Sequence, residues 1–292
     1  MINKEKNKEL NALINLLDDP DFEVYLQIKD KLISIGFDAI PFLETAWENA
    51  FDPIRQKRIE DIVHQLQLND LFAELHSWAH FNYNDLLKGM MLLSKFQYPD
   101  QDDEKIIKTI GRITQDVWLE LNQNLTALEK IKVINHILYD HNKFKGNASN
   151  INAPENYYIN NILQTKKGTP VSLGALFIVI AQGLKLPVHG VDLPRHFILA
   201  YLDEIIEIGK IVSDDNNVLF YINPFNKGAL FTRNEIELYL KQLALENDDN
   251  YYLPCANITI VKRMINELIG VYKDAGNDAK MEELNVLLKA LD

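Results

Sequence analysis

An α+β fold is predicted, in which one buried helix leads into a small sheet and helical segments flank both. Three observations predict it. Apolar residues recur at helical spacing from Leu10 to Leu71, and helical spacing returns after Cys255. Between these regions, Gly168 to Leu184 (GTPVSLGALFIVIAQGL) is the longest run without a formal charge. Directly after it the apolar period changes from about 3.6 residues to about 2, as strands require.

At 292 residues the chain has room for two domains of ~100 to 200 residues each. Its 47% hydrophobic and 25% charged residues are ordinary packed-protein usage and exclude a largely disordered or collagen-like chain. Lys and Arg number 30 against 42 Asp and Glu, so the net charge of -12 repels phosphate backbones and no nucleic-acid partner is expected. The lone Cys255 cannot form an internal disulfide, and MINKEKNKEL at the start has no apolar stretch for a secretory signal. Both point to a reducing cytoplasm. A bilayer span takes ~20 predominantly apolar residues. The uncharged run is short and carries Pro170, Ser172, Gln182 and three Gly, so it reads as a helix enclosed by protein, with no membrane expected.

In the first helical region Leu13, Leu16 and Leu17 share one face, and Asp18-Asp19-Pro20-Asp21 ends that helix and caps the next. Val24, Ile28, Leu32 and Ile35 continue the pattern to Gly36, and Pro41 starts a third helix. A second helical block over Tyr83 to Tyr139 is broken by Pro99 and by the acidic cluster Asp100 to Glu104. That cluster reads as a solvated helix start, since it lacks the glycine and terminal glutamate of a calcium loop. The Asn-rich stretch His141 to Tyr158, with Gly146 and Pro154, reads as an ordered loop.

Four strands are expected after the buried helix: Val188 to Leu193, His196 to Leu202, Ile205 to Ile208 and Val218 to Phe225. In the second, His196, Ile198 and Ala200 fall on one face and Phe197, Leu199 and Tyr201 on the other. Ser213 to Asn217 is a polar loop. The tail returns to helix over Ile258 to Lys273, breaks at Gly276-Asn277-Asp278, and ends in a helix over Ala279 to Leu291.

Chemistry concentrates at the mouth of the buried helix. Thr169 suits the N-cap and Pro170 the first helical position, which leaves Ser172 in the first turn near the unpaired amides. His196 opens a strand and Asn223 ends one just before Pro224, so the three residues have the makings of nucleophile, base and orienter. Each also has a structural reading: Ser172 bonded to its own helix start, His196 satisfying a buried carbonyl, Asn223 shaping a turn and Cys255 filling an apolar gap. The structural reading outweighs the catalytic one for Ser172, Asn223 and Cys255. His76 and His80 in HSWAH have the spacing of two zinc ligands, but the glutamate between them is absent and a structural pair is favoured. Gly168 and Gly174 precede no Lys-Ser/Thr pair, so no phosphate loop is present.

Several segments carry a family resemblance. ILYDHNKFKGN (Ile137 to Asn147), NYYINNILQTKKGTPVSLGALFIVIAQGLKLPVHGVDLPRHFILAY (Asn156 to Tyr201), INPFNKG (Ile222 to Gly228) and the tail from Ile258 to Leu291 resemble the transglutaminase-like superfamily, in the branch named after the SirB invasion regulator. LLDDPDFEVYLQIKDKLISIGFDAIPFLETAW is similar to a HEAT-like helical repeat, with a degenerate second copy through Pro53, Ile59, Ile62, Val63 and Leu66. The resemblance implies a papain-like core, a central helix on a small antiparallel sheet, followed by a tetratricopeptide-like helix pair. It further implies a cysteine at the start of the central helix, a histidine that falls on His196, and a third member that falls on Asn223, where aspartate is usual. The cysteine position falls near Pro170, with Ser172 the nearest side chain able to attack.

The expected organisation is a HEAT-like segment over 1–80, the core with its preceding helices over 81–254 and the tetratricopeptide-like pair over 255–292. The expected role is a non-catalytic module for a protein or peptide partner, with no cofactor and no metal. The rival is a hydrolase or acyl transferase acting on an amide or ester through Ser172, His196 and Asn223, which needs Ser172 Oγ within ~2.6 to 3.2 Å of a His196 nitrogen. Enzymatic activity stays open, with the missing thiol counting against it.

Overall fold

The computed structural model describes residues 2–203, 217–245 and 248–292, with side chains from Asn7 onward. The strand expected over Ile205 to Ile208 and most of the loop over Ser213 to Asn217 lie outside these residues. The chain divides into two compact units, Met1–Glu74 and Leu75–Asp292.

The first unit is helical. α1 (Ile2–Asn15), α2 (Phe22–Ile35) and α3 (Ile40–Glu48) precede α4 (Pro53–Phe81), whose first part belongs to this unit. Asp21 caps α2 as expected, its side chain accepting from the Glu23 amide at 2.9 Å. Leu10, Ile14, Leu17, Ile28, Leu32, Leu43, Ile59 and Ile62 form one buried cluster. Arg58 ties the helices together: Nη1 donates to the carbonyls of Leu17 and Asp19, both at 2.8 Å, and the guanidinium stacks on Tyr25. The stretch expected to hold a second repeat copy is one unbroken helix of 29 residues. No Gly or Pro interrupts it after Pro53, so nothing in the chain stops helix propagation there.

In the second unit α5 (Leu86–Lys95), α6 (Asp103–Glu120) and α7 (Ala127–Asn135) come first. The acidic cluster is a solvated helix start, as its composition predicts, with Asp102 accepting from the Lys105 amide at 2.9 Å. The block has a further break at Leu121 to Thr126, where Thr126 and Glu129 close a capping box that starts α7. The Asn-rich loop contains a two-residue strand, β1 (Lys145–Gly146), which pairs in parallel with β2 (Lys167–Gly168) after α8 (Ile159–Thr165).

The uncharged run forms α9 (Pro170–Gly183), with Thr169 as N-cap and Pro170 at its start. It packs against the sheet on one side and against α5, α6 and α11 (Asn257–Asp274) on others, which is why it is apolar nearly all round. The sheet runs β3 (Val188–Leu193), β4 (His196–Leu202), β5 (Val218–Asn223) and β6 (Ala229–Phe231), antiparallel throughout. The first two strands have the expected bounds. The strand expected over Val218 to Phe225 ends two residues earlier, because Pro224 begins a 3-10 turn over Pro224–Asn226. β6 and α10 (Arg233–Gln242) were not anticipated from the sequence. α12 (Asp278–Lys289) closes the chain against α11. The predicted α+β class, a buried helix on a small antiparallel sheet with helices on its flanks, is the class found.

Candidate functional site

The two faces of β4 decide which side chains meet. A Cβ on Gly174 of α9 would lie 2.7 Å from the Phe197 ring, so Phe197 and its parity partner Leu199 face the central helix. Ile198, Ala200 and Leu202 instead share a buried cluster with Tyr221 of β5 and Ile236 and Leu240 of α10. His196 has the parity of this second set. It lines a cleft of about 420 Å3 with Leu193, Asn223, Phe231, Ile236 and Tyr239, and Ser172 is not among the lining residues.

Ser172 is fully buried. Its hydroxyl donates to the Asn156 carbonyl at 2.7 Å and accepts from the Thr169 amide at 2.9 Å and from Thr169 Oγ1 at 3.2 Å. The Ser172 amide in turn donates to Thr169 Oγ1 at 3.3 Å, completing a reciprocal cap. A hydroxyl offers one donor and two acceptor sites, and all three are occupied. The lone pair that would attack a carbonyl is therefore engaged in holding the helix start. Asn223 is likewise committed at one end: Oδ1 accepts from the amides of Phe225 and Asn226, both at 3.1 Å, and so shapes the turn after β5. The structure thus brings His196 and Asn223 into one cleft and leaves Ser172 out of it.

Burial lowers the His196 pKa below the ordinary imidazole value, and the positive charge of Arg263 lowers it further. The ring is neutral at pH 7 and makes no hydrogen bond to a described residue, so one nitrogen can donate and the other accept. Tyr239 stands across from it, ring centroids 6.1 Å apart, and its hydroxyl donates to the Pro194 carbonyl at 3.2 Å. That bond steadies the two-residue turn Pro194-Arg195, in which Arg195 holds a left-handed φ of 58° that costs a side-chain-bearing residue free energy.

The single thiol lies elsewhere. The Cys255 amide donates to the Gly190 carbonyl at 2.8 Å, attaching the loop before α11 to the free edge of β3. Burial and the nearby Asp192 carboxylate push the Cys255 thiol up to about 12, so it is protonated and unreactive at neutral pH. Arg263 on α11 closes this corner: it pairs directly with Asp192, donates to the Leu193 carbonyl at 2.8 Å, and bonds Glu267 at 2.9 Å.

Among the described residues no group of three or more His, Cys, Asp or Glu is placed to hold a metal ion, and no helix is long and apolar enough to cross a membrane. His76 and His80 stack with centroids 4.1 Å apart, and His80 Nδ1 is bonded to the His76 carbonyl at 2.8 Å.

The sequence profile of the transglutaminase-like superfamily matches residues 104–266, more than half of the chain. The chain belongs to that superfamily. It is 29% identical over 213 residues to a UPF0162 protein of Buchnera aphidicola subsp. Acyrthosiphon pisum, covering 72% of this chain and 75% of the relative. A UPF0162 protein of Xylella fastidiosa is 25% identical over 193 residues, 64% of each chain. F-box only protein 21 of Mus musculus is 29% identical over 157 residues, 53% of this chain and 23% of that protein. The chain therefore spans under a quarter of the F-box protein and just under two thirds of the Xylella protein. No solved structure matches it.

Within the transglutaminase-like core, sequence reasoning missed Tyr239 and the Arg263–Asp192 pair. Thr232 and Glu235 form a capping box that was legible as the start of α10 and would have led to Tyr239. Arg263 and Asp192 are 71 positions apart, and nothing local couples them.

Proposed function

We propose that this transglutaminase-like protein is non-catalytic and acts as an interaction or regulatory module for a protein or peptide partner in a reducing cytoplasm. In this reading it belongs to the SirB branch, with HEAT-like helices before the core and a tetratricopeptide-like pair, α11 and α12, after it. Helix pairs of those kinds offer extended surfaces for partners. One observation carries the reading. The helix start where the family resemblance implies a cysteine holds Thr169-Pro170-Val171-Ser172, while the only thiol, the part-buried Cys255, is bonded to the edge of β3 and held protonated. The hydrolase alternative draws no support from a Ser172 hydroxyl whose three bonding positions are filled.

The cleft at His196 then serves as a binding pocket. Leu193, Phe231 and Ile236 supply apolar walls, and a neutral imidazole beside an amide can bind a peptide group by donating and accepting at once. Two experiments on the full chain test this. A fluorophosphonate probe is expected to leave no label that Ser172→Ala removes; such a label would restore the hydrolase. A photo-crosslinking residue at position 239 is expected to capture a protein or peptide from cell extract, with capture reduced at least tenfold by His196→Ala. Capture unchanged by that substitution would remove the cleft from the account.

A further inference from the structure

The first helical unit carries a cavity of its own, used by nothing described above. It is a groove of about 300 Å3 between α3 and α4, lined by Glu44, Trp47, Glu48, Ile59, Glu60 and Val63. Its size is at the lower end of the ~300 to 1,000 Å3 of small-molecule sites, which suits one long side chain. Glu44, Trp47 and Glu48 lie within about one turn of α3, so the two carboxylates flank the indole on one helix face. Across the groove, Ile59 and Val63 present an apolar floor one turn apart on α4.

The indole is held in place but not covered. Trp47 Nε1 donates to Glu60 Oε1 at 3.0 Å, which fixes the ring, and 40% of the residue remains exposed. Glu60 has a second, longer contact with Lys57, whose main partner is Asp61 at 2.9 Å. Glu44 and Glu48 bond no described residue and form no ion pair with one, although they sit beside each other in a unit that holds eight Lys and Arg against fifteen Asp and Glu. The groove therefore offers an aromatic face, an apolar floor and two uncompensated negative charges at one point.

We infer that this groove docks an arginine side chain presented by a partner protein or peptide. A guanidinium is the cation that uses all three features. Its plane stacks on an indole, its weakly hydrated faces and methylene stem accept apolar contact, and its fork of donors reaches two carboxylates together. Lysine can also approach an indole, but its strongly hydrated point charge lacks the planar fork that stacks on the ring and reaches two carboxylates together. The net charge of -12 repels anionic partners and favours approach of basic segments. The inference rests on the interaction-module reading, but its groove shares no residue with the His196 cleft, so the two can fail separately.

The test follows the indole N–H resonance of Trp47 in the full chain, assigned by its loss in Trp47→Phe, during titration with N-acetyl-arginine methylamide and with its uncharged citrulline counterpart. The expected result is a saturable shift with the arginine compound and an apparent affinity at least tenfold weaker for citrulline. The same loss is expected when arginine is titrated into Glu44→Gln/Glu48→Gln, which changes only exposed carboxylates and preserves shape. Equal shifts with the two compounds would mean apolar docking and would overturn the inference. So would an arginine affinity unchanged in the double variant, or a Trp47 resonance that moves with protein concentration alone, which would assign the groove to a second copy of the chain.

Discussion

The hydroxyl of Ser172 donates to the backbone carbonyl of Asn156 at 2.7 Å, joining the first turn of the central helix to the loop that precedes α8. Ser172 therefore works as a fastener between two buried segments, Asn156 being only 3% exposed.

Replacing Ser172 by Ala is accordingly expected to cost about 1 to 3 kcal/mol, the penalty for leaving buried donors and acceptors unpaired. Ser172→Thr is not a rescue, because the added methyl meets a fully packed position. Denaturant unfolding of the variant checks this, and a shift in midpoint with unchanged slope is the expected signature.

Cys255 is expected to resist iodoacetamide at pH 7.5 in the folded chain and to react once guanidinium unfolds it, because a thiol held up at about 12 supplies almost no thiolate. Mass spectrometry of the alkylated chain reads the outcome. Rapid native labelling would mean that the loop carrying Cys255 detaches from Gly190.

Acid should weaken the fold through two histidines. Burial lowers the pKa of both His189 and His196, so the unfolded chain binds more protons than the folded one below the ordinary imidazole range. Their stabilisation is complete above pH ~6.5 and is lost as pH falls through the depressed folded values. Thermal unfolding at pH 7.5 and 5.5 is expected to show a smaller loss in His189→Phe/His196→Phe than in the natural chain.

A methyl group at position 174 has no room. Its Cβ would lie 2.7 and 2.8 Å from two atoms of the Phe197 ring, itself fully buried. Gly174→Ala should cost about 1 to 3 kcal/mol as α9 and β4 are pushed apart. Calorimetry would register a lower unfolding temperature, and an unchanged one would place slack between helix and sheet.

Much of this was legible along the chain because the signals are local. The uncharged run from Gly168, the Thr169-Pro170 start and the alternation through Val188 to Leu202 each depend on neighbours within a few residues, and those elements have the expected bounds. The continuity of the helix from Pro53 is not visible in apolar spacing alone, which does not count turns; the absence of Gly and Pro over 54–81 is the sign that marks it. α10 was overlooked although its capping box stands in the sequence.

By itself, the sequence determined the buried helix, the first strands after it, the chemistry available and the family, including the absence of sulfur at the helix mouth. Only the tertiary structure decided which of those side chains meet. Parity along β4 turned His196 toward α10 and away from the central helix, and a carbonyl from Asn156 claimed the hydroxyl of Ser172. Both outcomes depend on the side of the sheet that each distant segment covers. Hydrogen-bond saturation and burial are set by such long-range partners, and no local spacing encodes them.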